Sequence, residues 1–123
     1  DRPAANLSVW LVSLPWDAAG DDRRTPPTAN IVTRGWADPQ NRNTLGESEP
    51  LVPGEFVTLA FDLQPDDQVV PAGQRLGLMI FSSDREFTLW ADPGTGLTLD
   101  LEATRLALPI VGGAPALERA IGR

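Results

Sequence analysis

Residues 33–43, TRGWADPQNRN, gather Arg34, Asp38 and Arg42 around Trp36 and Pro39. Charged groups beside an exposed indole make a binding site; the same groups satisfying one another make a structured corner. Asp38-Pro39-Gln40-Asn41 has the aspartate and proline that a type I turn prefers at its first two positions. Arg34 and Arg42 flank that turn, where their guanidinium groups can hold the Asp38 carboxylate or the loop carbonyls by charge-assisted bonds. Gly35 lets the backbone bend next to the Trp36 indole. The expectation is a corner that fixes a loop.

Other residue clusters point to other chemistry. SSDREF (82–87) offers Ser83, Asp84 and Glu86. The two carboxylates, at i and i+2 beside a strand end, would share a face as a glycosidase pair does, but so do many solvated surface pairs. Calcium needs several oxygens converging from one rigid loop. The acidic stretches at 21–22, 62–67 and 82–87 lack an Asp-x-Asp-x-Asp-Gly pattern, and Pro65 breaks the nearest run, so they read as solvated turns. Four tryptophans, at 10, 16, 36 and 90, could stack sugar rings; Trp10 lies mid-strand and reads as core, while Trp16, Trp36 and Trp90 flank loops. No Gly-x-Ser-x-Gly nucleophile elbow is present.

The chain has no histidine, cysteine or tyrosine. That removes the commonest general base, the commonest metal ligand and every thiolate. Self-contained catalysis is therefore not expected, nor is a cofactor or a metal. Net charge is −7, with all ten basic residues arginine; an acidic chain without a basic stripe repels phosphate backbones, which excludes nucleic acid as the expected partner. No apolar run approaches the roughly 18 residues of a membrane span. The expected location is the cytoplasm, with secretion left open by the cysteine content.

The elements that must position these groups are short strands. Twelve prolines and eleven glycines in 123 residues imply many turns. NLSVWLVSL (6–14) carries apolar residues on both faces, as does RLGLMIFSS (75–83), so each reads as a strand covered on two sides. TANIVTRGW (28–36) reads as a strand returning from a polar loop at 15–27. PGEFVTLAFDL (53–63) has the cleanest alternation, with Val57, Leu59, Phe61 and Leu63 on one side. QPDDQVVPAGQ (64–74) suggests a short edge strand between turns, LTLDL (97–101) and RLALPIV (105–111) two more strands, and APALERAIG (114–122) a brief helix. The fold class is all-β: an antiparallel β-sandwich, jelly-roll-like, occupying residues 1–123 as one domain with a short C-terminal helix. Opening directly on a doubly apolar strand suggests that the first strands of the sandwich are missing.

RGWADPQNR (34–42), the long stretch EPLVPGEFVTLAFDLQPDDQVVPAGQRLGLMIFSSD (49–84) and PGTGLTLDL (93–101) resemble, in order and spacing, the C-terminal β-domain of Xaa-Pro dipeptidyl-peptidases, in the wider cocaine-esterase-like group of α/β-hydrolases. LPIVGG (108–113) favours the peptidase branch. The likeness covers most of residues 5–113. It implies a jelly roll packed against an α/β-hydrolase domain of the same polypeptide. That domain would carry the Ser, Asp and His triad and release X-Pro dipeptides from peptide N-termini. No triad position falls in this chain. One departure is Gly73-Gln74-Arg75, where relatives commonly have Gly-His-Arg.

The resemblance makes Arg34, Trp36, Asp38, Arg42, Ser83, Asp84 and Trp90 candidates for an interdomain contact or a structural corner. The hydrolase domain is the expected partner, with a homodimer through uncovered edges as a further expectation. A free-standing β-sandwich module for carbohydrate or a protein partner is the alternative from a different class; doubly apolar strands favour the domain–domain contact.

Overall fold

A computed structural model describes residues 1–15, 30–82, 84, 86–90 and 92–122. The polar loop expected at 15–27, except its first residue, lies outside these, as do Trp16, the acidic pair at 21–22 and Ser83. Three strands form one antiparallel sheet: β1 (Leu7–Leu14), β2 (Ile31–Ala37) and β3 (Arg75–Phe81), in the order β2-β1-β3. A single helix, α1 (Gly113–Ile121), follows near the C-terminus. The antiparallel β architecture and the short helix agree with the sequence reading.

β1 is the central strand, paired along both edges, and its residues are buried on both faces except for the half-buried Trp10 and Leu14. Its register pairs Ser8 with Trp36, Trp10 with Arg34 and Val9 with Gly35 on one side, interrupted by a bulge between Leu11 and Val12. On the other side Ser8 meets Phe81, Trp10 meets Met79 and Leu11 meets Leu78. Directly opposed residues share a face. One face therefore carries Ser8, Trp10, Arg34, Trp36, Met79 and Phe81; the other carries Leu7, Val9, Leu11, Gly35, Leu78 and Ile80. Among the described residues, Ala5, Leu7, Val9, Leu11 and Val12 form the buried apolar core, with Pro39 buried apart from it.

Residues 62–64 lie along β2. Gln64 N–H donates to the Arg34 carbonyl (2.7 Å) and Thr33 Oγ1 donates to the Gln64 carbonyl (2.5 Å). Gly35 makes this approach feasible: a Cβ there would stand 2.6 Å from Leu63 Cδ2 and 3.1 Å from the Asp62 carbonyl oxygen.

Several expected strands do not form ladders. Residues 53–63, 68–70, 97–101 and 105–111 are extended or turn-forming and carry no strand pairing. Alternation specifies which side chains can face a core, whereas a strand also needs a partner for its backbone. The backbone bonds in these stretches mostly close local turns, such as Glu55 N–H to the Val52 carbonyl and Thr104 N–H to the Asp100 carbonyl. The alternation survives from residue 58 on: Leu59, Phe61 and Leu63 are half-buried while Thr58, Ala60 and Asp62 are exposed, but Val57, expected on the inward side, is exposed.

Much apolar surface is consequently uncovered. The accessible surface is 9603 Å², roughly half as much again as the ~6,400 Å² expected for a folded monomer of 13.2 kDa. On β3, Leu76, Leu78 and Met79 are exposed despite facing both sides of the sheet. Helix α1 tolerates Pro115 in its first turn, where no N–H needs an intrahelical acceptor, and stops at Gly122 (φ 73°), whose N–H caps the Glu118 carbonyl. Its Leu117 and Ile121, one turn apart, are also exposed.

Gly35→Ala should destabilise the sheet by about 1–3 kcal/mol through overpacking against Leu63. Urea unfolding followed by tryptophan emission measures this; a loss below about 0.5 kcal/mol would mean that Leu63 does not seat on β2.

Candidate functional site

The face shared by Ser8, Trp10, Arg34 and Trp36 holds a cluster of aromatic, cationic and acidic side chains. Trp10 and Trp36 come from adjacent strands, and their indoles converge on one carboxylate. Trp10 Nε1 donates to Asp84 Oδ2 at 2.8 Å and Trp36 Nε1 donates to the same oxygen at 3.2 Å. Asp84 is 5% exposed. A buried carboxylate needs donors to replace its hydration, and the two indole N–H groups supply them. Hydrogen bonds to a charged acceptor contribute about 1.5–3 kcal/mol each.

The chain just after β3 is folded to present that carboxylate. The Asp84 carbonyl accepts from the N–H groups of Phe87 (3.0 Å) and Thr88 (2.8 Å). Thr88 Oγ1 accepts from Asp84 N–H (3.2 Å) and donates to the Asp84 carbonyl (3.1 Å). Asn6 Nδ2 ties the next residue down by donating to the Leu89 carbonyl. This turn swings Phe87 over Trp36, stacked at 5.2 Å and 29°. Trp10 meets Phe81 edge-on at 4.9 Å and 86°. Arg34 completes the cluster, its guanidinium carbon 5.1 Å from the Trp10 ring centre and 4.9 Å from that of Phe87.

The corner at 38–49 is a separate network. Pro39–Asn41 form one 3₁₀ turn capped by Asp38, whose Oδ1 accepts from the Gln40 backbone N–H at 2.9 Å. Asn41 N–H closes the turn on the Asp38 carbonyl (3.0 Å). The expected turn chemistry is present, but neither arginine holds the Asp38 carboxylate. Arg42 pairs with Glu49 (2.6 Å) and donates to the Pro39 and Glu49 carbonyls. Arg34 instead points to the ring cluster, because its register partner is Trp10.

The structure thus brings Arg34, Trp36 and Asp84 together and leaves Asp38 and Arg42 in the neighbouring corner. Trp90 lies past the turn and is 60% exposed. The glycosidase-like pairing of Asp84 and Glu86 is not realised: one is buried beneath two indoles, the other exposed, and neither sits in a strand. Trp10, read as core from its mid-strand position, is only half-buried and spends its N–H on Asp84. Phe81, Phe87 and Thr88 went unsingled in the sequence; Thr88, four residues after Asp84, is the side-chain half of the turn that presents it. Among the described residues no group of three or more acidic side chains is placed to hold a metal, and no helix is long and apolar enough to cross a membrane.

Nothing in this cluster resembles a nucleophile with its base: the sole carboxylate is engaged by two donors and the sole cation lies between rings. The sequence profile of a family described as the X-Pro dipeptidyl-peptidase C-terminal non-catalytic domain matches residues 1–118. The chain belongs to that family. A Rhodopirellula baltica protein assigned by name to the Xaa-Pro dipeptidyl-peptidases is 62% identical over 118 residues, covering 96% of this chain and 18% of that protein. A Bacillus cereus protein assigned the same way is 39% identical over 111 residues, covering 90% of this chain and 17% of its own length. The Xaa-Pro dipeptidyl-peptidase of Lactobacillus delbrueckii is 36% identical over 80 residues, 65% of this chain and 10% of that protein. The chain therefore corresponds to one non-catalytic domain of much longer relatives. No solved structure matches it.

Removing the Asp84 carboxylate strands two indole donors. Asp84→Ala should cost about 2–4 kcal/mol, and in a double-mutant cycle with Trp36→Phe the two sites should couple by about 1–2 kcal/mol. Coupling within about 0.3 kcal/mol of zero would mean that the indole N–H does not depend on Asp84.

Proposed function

We propose that this domain docks on an α/β-hydrolase domain of the same polypeptide and holds it in a working arrangement, while that domain releases X-Pro dipeptides from peptide N-termini. The observation that carries the reading is the uncovered apolar surface on a sheet whose sequence is patterned for burial on both faces. Leu76, Leu78 and Met79 of β3, with Leu117 and Ile121 of α1, are exposed in a chain that spans 18% of its R. baltica relative. Contiguous exposed apolar groups are the kind of surface that meets other protein, and Leu76 and Leu78 lie side by side on one face of β3. The names of the relatives supply the activity, and the absence of histidine and cysteine in 123 residues assigns the chemistry to another part of the polypeptide.

The carbohydrate-module reading is weakened by the same cluster. A sugar platform needs open indole faces, and Trp10 and Trp36 are committed to Asp84, Phe81 and Phe87. Candidate docking residues on the cluster side are Arg34, Trp36, Asp84 and Trp90, with the Asp38–Arg42 corner adjoining along the chain. Two isolated copies could cover the same apolar surface by pairing about a two-fold axis.

Chromogenic Ala-Pro and Gly-Pro amides test the assignment. The chain alone should give no turnover. The full-length polypeptide should release the dipeptide and lose activity to a serine-directed inhibitor, and Leu78→Glu on the uncovered sheet face should lower that activity at least severalfold. Inhibitor-sensitive turnover by the chain alone, or a full-length polypeptide inert on X-Pro amides, would overturn it.

A further inference from the structure

Arg34 is a cation whose hydrogen-bonding capacity the described residues do not use. Its guanidinium lies between the Trp10 ring at 5.1 Å and the Phe87 ring at 4.9 Å. Among the described residues it donates no hydrogen bond and pairs with no carboxylate; the ion pair there is Arg42–Glu49. Its Nε is buried without an acceptor. This happens in a chain with 17 acidic and 10 basic residues, where an internal counter-charge would be easy to provide. The nearby buried carboxylate, Asp84, is taken by the two indoles instead.

Such a guanidinium is already prepared for a partner. Two ring contacts restrict the side chain and remove part of the rotamer freedom that an arginine loses on binding. The side chain as a whole is half-buried, and a planar fork of N–H donors matches a carboxylate bidentately. Phe87, one of the two rings against this cation, is 52% exposed, and Leu89, two residues on, is 87% exposed. Arginine and large aromatics flanked by apolar groups are the composition of an interface centre, where exclusion of water strengthens a charged pair.

We infer that Arg34 is the anchor of the interdomain contact and receives an Asp or Glu carboxylate from the part of the polypeptide outside residues 1–123. This rests on the docking reading above and adds to it the chemistry of the acceptor. The length of chain outside this domain in its relatives, of which it spans 18% or less in those compared, supplies the occupant. Trp10, Trp36 and Asp84 act as positioning residues: they hold the ring plane against which Arg34 lies.

Hydrogen exchange with mass spectrometry on the full-length polypeptide tests this. Arg34→Gln should speed exchange about tenfold, the scale of a lost charge-assisted pair, in a segment outside residues 1–123 that carries an Asp or Glu. Replacing that carboxylate by Ala should do the same and add nothing in the Arg34→Gln background. Faster exchange confined to residues 1–123, or none, would overturn the inference. Leu78→Glu separates it from the reading beneath it. If Leu78→Glu speeds exchange outside the domain and Arg34→Gln does not, the Arg34 assignment alone fails; if neither does, docking itself fails. Should Arg34→Gln fold poorly, Arg34→Lys decides: it keeps the charge but not the planar fork, so about threefold faster exchange supports the assignment and wild-type exchange sinks it.

Discussion

One carboxylate oxygen, Asp84 Oδ2, joins the indoles of two neighbouring strands, and the arrangement of the candidate site follows from that. Indoles on adjacent strands would otherwise be free to adopt several rotamers over a half-open face. With both N–H groups drawn to one acceptor, their ring planes are fixed. Phe81 then packs edge-on to Trp10 and Phe87 stacks on Trp36. The acceptor can serve because the Asp84–Thr88 turn holds it rigidly through backbone and hydroxyl bonds. Here a buried charge acts as a clamp, satisfied by neutral donors rather than by the nearby arginine.

That choice of donors has a consequence. Had Arg34 paired with Asp84, both charges would have been spent inside the domain. Using indole N–H groups for the carboxylate leaves the guanidinium against two rings and, among the described residues, without an acceptor. The same division between internal order and outward capacity runs through the sheet. β1 is covered on both sides and supplies most of the buried apolar residues, whereas β3 and α1 leave leucine, methionine and isoleucine uncovered. A domain whose interior is this small relative to its surface leaves apolar side chains for other protein to cover, as the proposed docking requires.

The central features were legible in the sequence wherever local chemistry decides structure. The apolar residues on both faces of 6–14 marked the central strand. Asp38-Pro39 marked the capped turn, and APALERAIG marked the helix to within a residue at each end. What was not legible depended on pairing. Alternation in 53–63 correctly sorted Leu59, Phe61 and Leu63 from their exposed neighbours but could not provide a ladder partner. The site was half-readable for the same reason. Arg34, Trp36 and Asp84 stood out by type, yet only the register of β1 on β2 puts Arg34 opposite Trp10 and away from Asp38. Arg42 went to Glu49, seven residues on, through a loop whose closure no spacing rule anticipates.

Asp84 gathers the two indoles, and the ¹H–¹⁵N spectrum of the indole groups observes that contact directly. The Trp10 and Trp36 Nε1–H signals should be protected from solvent exchange, and both should shift and lose protection together in Asp84→Ala. Indole protons at Trp10 and Trp36 that exchange freely in the wild type, or that remain in place when the Asp84 carboxylate is removed, would contradict it.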